Sequence, residues 1–289
     1  MKKFSISTEL YEQHRQLTRR YFMKLGITSS FIFKSTKSDG DGSTLNPDED
    51  QSEKAEYLTP ADEFETIERG NPLPYKLPHK KRLEIGMERG TWKLNVVPDP
   101  ESNSEIESPL SRANNNALDF KTLMSLAENK SVKFMKVMTC NNLSTPLGMG
   151  LWEGVPLRDV IWLAKPKENI RRVFYYGHHN NDPKQMFRSS LPIGRVLEDP
   201  PGDHTVILCY KLNNQWLSGE RGGPVRMIVP EAYGFKSVKW LKSVVLTNEP
   251  AANDTYADGN NDIDSWMKSM SLFVETPKRI KSGQPIPIT

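Results

Sequence analysis

The hydrophobic pattern of the chain predicts many short strands and only a few helices. Trp92 to Val96 alternates apolar and polar residues, as a half-buried strand does, and Val206 to Tyr210 is continuously apolar, as a fully buried strand is. Similar apolar segments predict further strands at Phe134 to Thr139, Val173 to Tyr176, Val225 to Val229 and Val238 to Leu246. Short strands with few helices favour a mixed α+β domain over a doubly wound parallel sheet.

Three stretches predict helices. Asp119 is a suitable N-cap for a helix whose apolar face contains Phe120, Leu123, Met124 and Ala127. A second amphipathic helix begins near Pro156, and the N-cap and first-turn proline at Thr59-Pro60 predict a short helix that ends at Gly70. Residues 71–79 are rich in proline and predict an extended segment that lies across a surface.

The amino end resembles a twin-arginine export signal. Arg19 and Arg20 are followed by Tyr21-Phe22-Met23-Lys24 and then by a mildly apolar segment. A surface helix that happens to contain two arginines is the alternative, but the pattern, its position and the apolar segment together favour the signal. We therefore expect a periplasmic protein that is exported in its folded state.

Composition divides the chain into four parts. Residues 1–35 form the signal region, and residues 36–58 are rich in Ser, Asp, Gly and Glu, which predicts a disordered linker. Residues 59–250 form the folded domain, and residues 251–289 form a C-terminal extension. No run reaches the roughly 18 apolar residues that a membrane span needs.

Charge and cysteine content exclude several functional classes. A formal net charge of +3 gives no support for nucleic acid or a membrane surface as a partner. The two cysteines, Cys140 and Cys209, form neither CxxC nor CxxCH, so a zinc ribbon, a thioredoxin-type centre and covalent haem are not indicated. Their spacing leaves open whether they form a disulfide. No GxSxG, P-loop or dinucleotide-binding motif occurs.

The stretch from Val132 to Gly154 presents a single thiol at the end of a strand. An apolar run leads into Cys140 and then abruptly into Asn-Asn, Ser-Thr-Pro and two glycines. A thiolate suits a soft metal, and a fixed strand end sets its direction. The alternative is an inert buried cysteine. Cys209 lies within a continuous apolar run and is predicted to be a core residue.

Two glycine-containing loops carry a cluster of cations. Residues 219–240 contain a Gly-Gly-Pro turn and four basic side chains, Arg221, Arg226, Lys236 and Lys239. Cations together with free backbone N–H groups suit an anionic phosphate, although a solvated basic face is the alternative. The neighbours His178 and His179 point to different sides, so we expect a polar loop lining a pocket there rather than a shared metal site.

Several motifs together resemble the sulfite oxidase family of molybdopterin enzymes. The motifs are Cys140 after a strand, Trp152-x-Gly154-Val155-Pro156-Leu157, Gly-x-Pro-Val-Arg and Gly-Phe-Lys-Ser-Val-Lys-Trp. The similarity runs from about Asn71 to Leu246. The resemblance implies a mixed-sheet, sulfite-oxidase-type molybdopterin-binding fold and a molybdenum–molybdopterin cofactor. It implies Cys140 as the metal ligand and cofactor contacts from Tyr75, His79, His179, Arg221, Arg226, Ser237, Val238 and Lys239.

The chain departs from the sulfite oxidase pattern at several positions. The Gly-Asn-Arg-Arg run that follows the cysteine in sulfite oxidases is here Asn-Asn-Leu-Ser-Thr. Phe187, with Arg188 beside it, stands where that family has its active-site tyrosine, and Arg221 stands where sulfite oxidases have a His. These differences leave the cofactor assignment intact and bear on the substrate.

The resemblance implies an enzyme that transfers oxygen atoms to or from a small sulfur compound or oxyanion. Arg188 and His178 would attract an anionic substrate towards the metal bound by Cys140. A sulfoxide reductase of the periplasmic methionine-sulfoxide type and a cofactor-free binding module are the alternatives. The chain has no haem, iron–sulfur, flavin or nicotinamide motif, so we expect a separate cytochrome or haem-protein electron carrier. The chain ends near where the dimerisation domain of sulfite oxidases would begin, so we expect a monomer.

Overall fold

The computed structural model describes residues 57–180, 182, 187–198, 203–251 and 265–269. The predicted export signal, nearly all of the predicted linker and most of the C-terminal extension lie outside these residues. Within the described ranges, no helix is both long and apolar enough to cross a bilayer.

Helices are short and few in the described part of the chain. Two of them are single 3-10 turns, at Pro74–Lys76 and Gly234–Lys236. The α-helices are α1 (His79–Glu84), α2 (Phe120–Lys130), α3 (Leu157–Leu163) and α4 (Ile193–Leu197). The predicted cap of α2 is present, because the Asp119 side chain accepts a hydrogen bond from the Thr122 N–H.

Ten strands make up most of the regular secondary structure in the described residues. They are β1 (Lys93–Pro98), β2 (Leu118–Asp119), β3 (Val132–Met138), β4 (Gly148–Pro156), β5 (Arg172–Gly177), β6 (Arg188–Pro192), β7 (Ile207–Leu212), β8 (Gln215–Trp216), β9 (Arg226–Ile228) and β10 (Leu241–Thr247). They form two five-stranded sheets, which confirms the prediction of a mixed α+β fold rather than a doubly wound one.

The first sheet has the strand order β2-β1-β10-β5-β6. Strand β1 runs parallel to β10, and the other pairs are antiparallel. Its inner face contributes Leu94, Val96, Val244 and Val173 to the larger hydrophobic core, on which α2 and α3 also pack. The sheet therefore buries one face and leaves residues of the other face to line a cavity.

The second sheet has the order β3-β4-β7-β8, and β9 pairs with β7. All of its pairs are antiparallel. Trp152, Phe134 and Cys209 belong to a smaller core on this sheet. Cys209 is thus a core residue, as predicted, and both cysteines are free thiols, so they do not form a disulfide with each other.

The prediction of a helix over residues 59–70 was wrong. One turn forms, in which the Glu63 and Phe64 N–H groups both reach the Pro60 carbonyl, and the chain then becomes extended. The Glu65 N–H donates to the Leu147 carbonyl, and the Thr59 N–H donates to the Met149 carbonyl. Contacts with β4 therefore replace helical hydrogen bonds. The extended prediction for residues 71–79 was also incomplete, because it contains the first 3-10 turn and the start of α1.

Candidate functional site

Cys140 lies just beyond β3 in a turn that a second loop supports. The Leu143 N–H donates to the Cys140 carbonyl over 3.2 Å, and the Gly234 N–H donates to the Thr139 carbonyl over 2.6 Å. A side chain at Gly234 would crowd this junction, since its Cβ would lie 3.1 Å from the Met138 sulfur and 3.5 Å from the Cys140 Sγ. The close approach of the two loops fixes the position of the thiol.

The surroundings of Cys140 act on its thiol in opposite directions. Burial raises the pKa of Cys140, and this effect is the largest. The backbone N–H groups of Phe235 and Gly234 and the charges of Arg69 and Lys136 oppose it, because all of them favour the thiolate. These contacts favour loss of the thiol proton, which metal binding requires, since a metal binds the thiolate form.

Arg226, on β9, is buried beneath the same cavity. Its Nη1 and Nη2 donate to the carbonyls of Arg221 and Ser237 over 2.8 and 2.6 Å, while its Nε has no hydrogen-bond partner among the described residues. Burial lowers the pKa of Arg226 to about 10. The guanidinium also lies 5.4 Å from the ring centre of Trp152. A buried guanidinium with one unpaired donor is unfavourable unless an anion approaches it.

Arg221 and Lys239 lie at the mouth of the cavity, and both donate to the segment of residues 59–70. Arg221 donates to the carbonyls of Glu65, over 2.6 Å, and Phe64. The Lys239 ammonium donates to the Thr66 hydroxyl over 2.6 Å and to the carbonyls of Ile67 and Glu220, both over 2.9 Å. The 59–70 segment therefore supplies oxygen acceptors to these two cations.

One cavity unites these groups. It has a volume of about 130 Å³ and is bounded on one side by the 59–70 segment. Its lining combines the thiol, cations and apolar groups, and includes Cys140, Arg69, Arg221, Arg226, Ser237, Lys239, His178, Phe187, Leu147 and Trp152. We call it the Cys140 cavity. The cavity therefore combines a soft ligand with cations that can bind an anion.

Other predicted residues lie around this cavity or away from it. Tyr75 stacks against Trp240, which lines the cavity, with ring centres 6.3 Å apart, and its hydroxyl donates to Glu68. Val238 is buried in the larger core. His79 is exposed at the start of α1, and Lys236, one of the four predicted cations, is buried and donates to the Ser190 carbonyl over 3.0 Å. These four side chains are not among those lining the cavity.

Arg188 and His179 line a different cavity, which does not contain Cys140. Arg188 is the first residue of β6, and Phe187, immediately before it, lines the Cys140 cavity. Neighbouring residues in extended chain point to opposite faces, so the two side chains separate. The resemblance implied that Arg188 attracts an anionic substrate towards the metal bound by Cys140, and the structure instead places Arg188 in a cavity that Cys140 does not line. His178 lines both cavities.

Arg69 and Lys136 were missed by the sequence analysis. The Arg69 guanidinium lies 4.1 Å from the ring centre of Phe187, and its charge lowers the pKa of Cys140. Lys136 is buried, and its ammonium donates to the Ala232 carbonyl over 2.6 Å. Burial lowers the pKa of Lys136 to about 8. A lysine on an inward-facing position of β3 was the available signal for an unusual environment.

Comparison with known proteins identifies the family. A family model described as "Oxidoreductase molybdopterin binding domain" matches residues 86–255, which is more than half of the chain. The chain therefore belongs to this family of molybdopterin-binding oxidoreductases. Membership confirms the predicted fold class and the molybdenum–molybdopterin cofactor.

Individual relatives match a smaller part of the chain. An NADPH nitrate reductase from Beauveria bassiana is 34% identical over 107 residues, which are 37% of this chain and 12% of that protein. The mitochondrial sulfite oxidase of Drosophila melanogaster is 32% identical over 126 residues, 42% of this chain and 21% of that protein. The match thus spans about a fifth or less of these relatives' length.

One solved structure aligns with part of the chain. It is the sulfane dehydrogenase SoxCD from Paracoccus pantotrophus, which aligns with a TM-score of 0.47 and 17% identity. The alignment covers 77% of this chain and 58% of that one.

The residues of the Cys140 cavity fit the family's cofactor. A thiolate is the ligand type that a soft metal accepts, and the Cys140 thiol is presented at the cavity. The Arg226 Nε, which has no partner among the described residues, can donate to a phosphate oxygen, and the positive charges of Arg221 and Lys239 favour an anion in the same cavity. Cys140 would hold the metal, and these three cations would hold the anionic end of the pterin.

Proposed function

We propose that this protein is a molybdenum–molybdopterin oxidoreductase that performs oxygen-atom transfer on a small sulfur compound or oxyanion. The observation that carries the proposal is the shared cavity of Cys140, Arg221, Arg226 and Lys239. When bound, the cofactor would supply two-electron redox chemistry coupled to oxygen transfer between water and substrate. The relatives' names include both nitrate reductase and sulfite oxidase, which supports the class of reaction and leaves the substrate to experiment.

The protein's own residues would bind the cofactor and orient it towards the substrate. The thiolate of Cys140 would fix the metal at the end of β3, and the cations would neutralise the phosphate. Phe187, Leu147 and Trp152 form apolar walls that limit access of water to the thiol. The pKa of His178 is lowered to about 4, mainly by burial and then by the charge of Lys242. Near neutral pH His178 is therefore uncharged, so a cationic role in attracting substrate falls to the arginines and lysines.

Substitution of Cys140 tests the proposal. Cys140→Ser should lower turnover by more than about 100-fold, because loss of a direct ligand exceeds the 10–100-fold cost typical of an outer-shell partner. Pterin content should change little, since the cations that hold its anionic end are unaltered. Cys209→Ala is the matched control, because Cys209 is buried in the smaller core and does not line the cavity. Turnover of Cys140→Ser at the wild-type rate would exclude Cys140 as the ligand.

Metal content and substrate range separate the possible activities. About one molybdenum per chain would support an enzyme, whereas a chain without metal from a cofactor-competent host would support the binding module. Purified loaded protein should be screened with sulfite, nitrate and a methionine sulfoxide. Oxidation of sulfite with an added cytochrome or dye acceptor would support the leading proposal, and turnover of the sulfoxide with a reduced donor would support the reductase alternative.

We also propose that the protein works in the periplasm with a separate haem-protein carrier. The support is the Arg19-Arg20 pattern and the lack of other redox motifs in the sequence. Replacing both arginines by lysine should retain the protein in the cytoplasm, with the cofactor still bound. Fractionation and immunoblotting would measure this, and undiminished export of the double variant would contradict the localisation.

A further inference from the structure

A second cavity of about 1000 Å³ lies on the outer face of the first sheet. Its floor contains a polar row that crosses four adjacent strands, since Asn95 pairs with Ser243, Ser243 with Tyr176 and Tyr176 with Arg188. Side chains in register on neighbouring strands share one face. We call this space the sheet cavity. His178 and Gly177 line both it and the Cys140 cavity, so the two spaces meet at this point.

Two cations approach each other at one end of the sheet cavity. A Cβ atom at Gly86 would lie 3.0 Å from the Lys242 Nζ and 3.3 Å from an Arg112 Nη, so both groups surround the same point. The Lys242 ammonium donates to the carbonyls of Ile85 and Gly86 over 2.5 and 2.7 Å. An ammonium has three donors, so one remains after these two contacts with described residues.

The described residues provide little negative charge at this end. Burial is the main reason that the pKa of Lys242 falls to about 7, and the charge of Arg112 lowers it further, with no carboxylate acting against them. The sheet cavity is lined by four acids, Glu84, Asp99, Glu101 and Glu249, and none of them is among the charges that shift the pKa of Lys242. Asp99 and Glu101 influence Tyr176, while Glu84 forms an ion pair with Lys81 over 2.8 Å. Two adjacent cations without a counter-charge are unfavourable until an anion binds between them.

We propose that Arg112 and Lys242 form a binding subsite for a small oxyanion, beside the junction of the two cavities at His178. Guanidinium and ammonium groups both recognise oxyanions through charge-assisted hydrogen bonds. Binding of the anion depends only on these residues. A role in delivering an anionic substrate to the Cys140 cavity, or in collecting an anionic product from it, rests on the proposed function.

Sulfate titration of the full cofactor-free chain tests the subsite. At constant ionic strength, NMR should show sulfate bound in the sheet cavity, separately from any sulfate taken up by the cations of the empty Cys140 cavity, and Lys242→Met with Arg112→Gln should weaken the sheet-cavity binding at least about tenfold. Lys165→Met with Arg89→Gln is the matched control, because neither residue lines the sheet cavity. The control should bind as the wild type does.

Two further variants keep the test decisive. Lys242 caps the end of α1 through its carbonyl contacts, so the single variant Arg112→Gln, on a more exposed side chain, should weaken sulfate about threefold or more without loss of fold. Arg221→Gln removes a cation of the Cys140 cavity and should leave this sulfate affinity unchanged. Loss of sulfate binding in Arg221→Gln, with normal binding in the Arg112 and Lys242 variants, would overturn the proposal.

Kinetics of the loaded protein test the delivery role separately. For an anionic substrate, Arg112→Gln should raise KM several-fold and leave kcat unchanged, whereas KM for an uncharged sulfoxide should not change. A preparation that lacks molybdenum would contradict the proposed function but would still bind sulfate. An active enzyme without sulfate binding in the sheet cavity would contradict the subsite and leave the proposed function standing.

Discussion

Arg226 shows at the scale of one residue why the Cys140 cavity requires an anion. Its guanidinium is buried, its two terminal nitrogens are satisfied by backbone carbonyls, and its Nε has no partner in the part of the chain that the structure describes. Burial lowers its pKa only to about 10, so it remains charged near neutral pH. Such a group costs free energy in the cofactor-free chain, and that cost is offset when an anion binds.

Arg226→Met should therefore impair cofactor retention much more than folding. The loss of a charge-assisted hydrogen bond of about 2 kcal/mol corresponds to a weakening on the order of 30-fold. Molybdenum per chain after extended dialysis would measure this. Arg89→Met, which removes an arginine stacked on Trp216 outside the cavity, should retain the metal as the wild type does. Equal retention by both variants would contradict a role for Arg226 in holding the cofactor.

The sequence could indicate some of these residues but not others. Cys140 could be found because an apolar strand changes abruptly into a turn-rich loop. The basic loops could be found because four cations flank a Gly-Gly-Pro turn. Arg69 could not, because its contact with Phe187 joins residues more than a hundred positions apart. Phe187 and Arg188 face different cavities because of where β6 begins. A shift of the strand by one residue would exchange the faces to which the two side chains point.

At the scale of elements, the 59–70 segment is ordered by contacts rather than by its own helical propensity. Phe64 packs edge-on against Trp152 with ring centres 6.0 Å apart. Its ring also fills the space above Gly148, where a Cβ would approach it to 2.8 Å. The N-cap and proline signals at its start are local, and the cations that hold its carbonyls come from residues 221 and 239. Local signals could therefore not predict that this segment is extended rather than helical.

Phe64→Ala should lower the free energy of unfolding by about 3 kcal/mol, because it leaves a cavity beside Trp152. Urea denaturation followed by tryptophan fluorescence would measure the change. Ile67→Ala is the matched control in the same segment, since Ile67 is 38% exposed, and it should cost no more than about 0.5 kcal/mol. Similar losses for the two variants would show that Phe64 does not anchor the segment.

At the scale of the whole molecule, the sequence predicted the strands but not how they pair. Apolar periodicity identified most strands and the mixed α+β class, since it reports which residues are buried. It could not show that β1 pairs in parallel with β10, for example Asn95 with Ser243, because periodicity does not name the neighbouring strand. That pairing builds the floor of the sheet cavity, so the cavity was also beyond prediction.

Charge is distributed unevenly over the molecule, although the net charge is only +3. Two largely buried lysines lie in the two cavities. Burial, followed by the charges of Arg226 and Arg221, lowers the pKa of Lys239 to about 7, and burial with Arg112 lowers that of Lys242 to about 7. In the unfolded chain the pKa values of both lysines return towards the ordinary value of 10.5. Above pH 7 the unfolded chain therefore binds more protons than the folded one.

The stability of the cofactor-free protein should consequently rise with pH. Between about pH 7 and about pH 8, each lysine should contribute about 1 kcal/mol, because stability increases wherever the unfolded state binds more protons. Urea denaturation at the two pH values would measure the rise, and Lys239→Met with Lys242→Met should reduce it. A bound cofactor would keep Lys239 charged through its phosphate, so the loaded protein should show a smaller rise. An equal rise in the wild type and the double variant would show that these lysines are not its source.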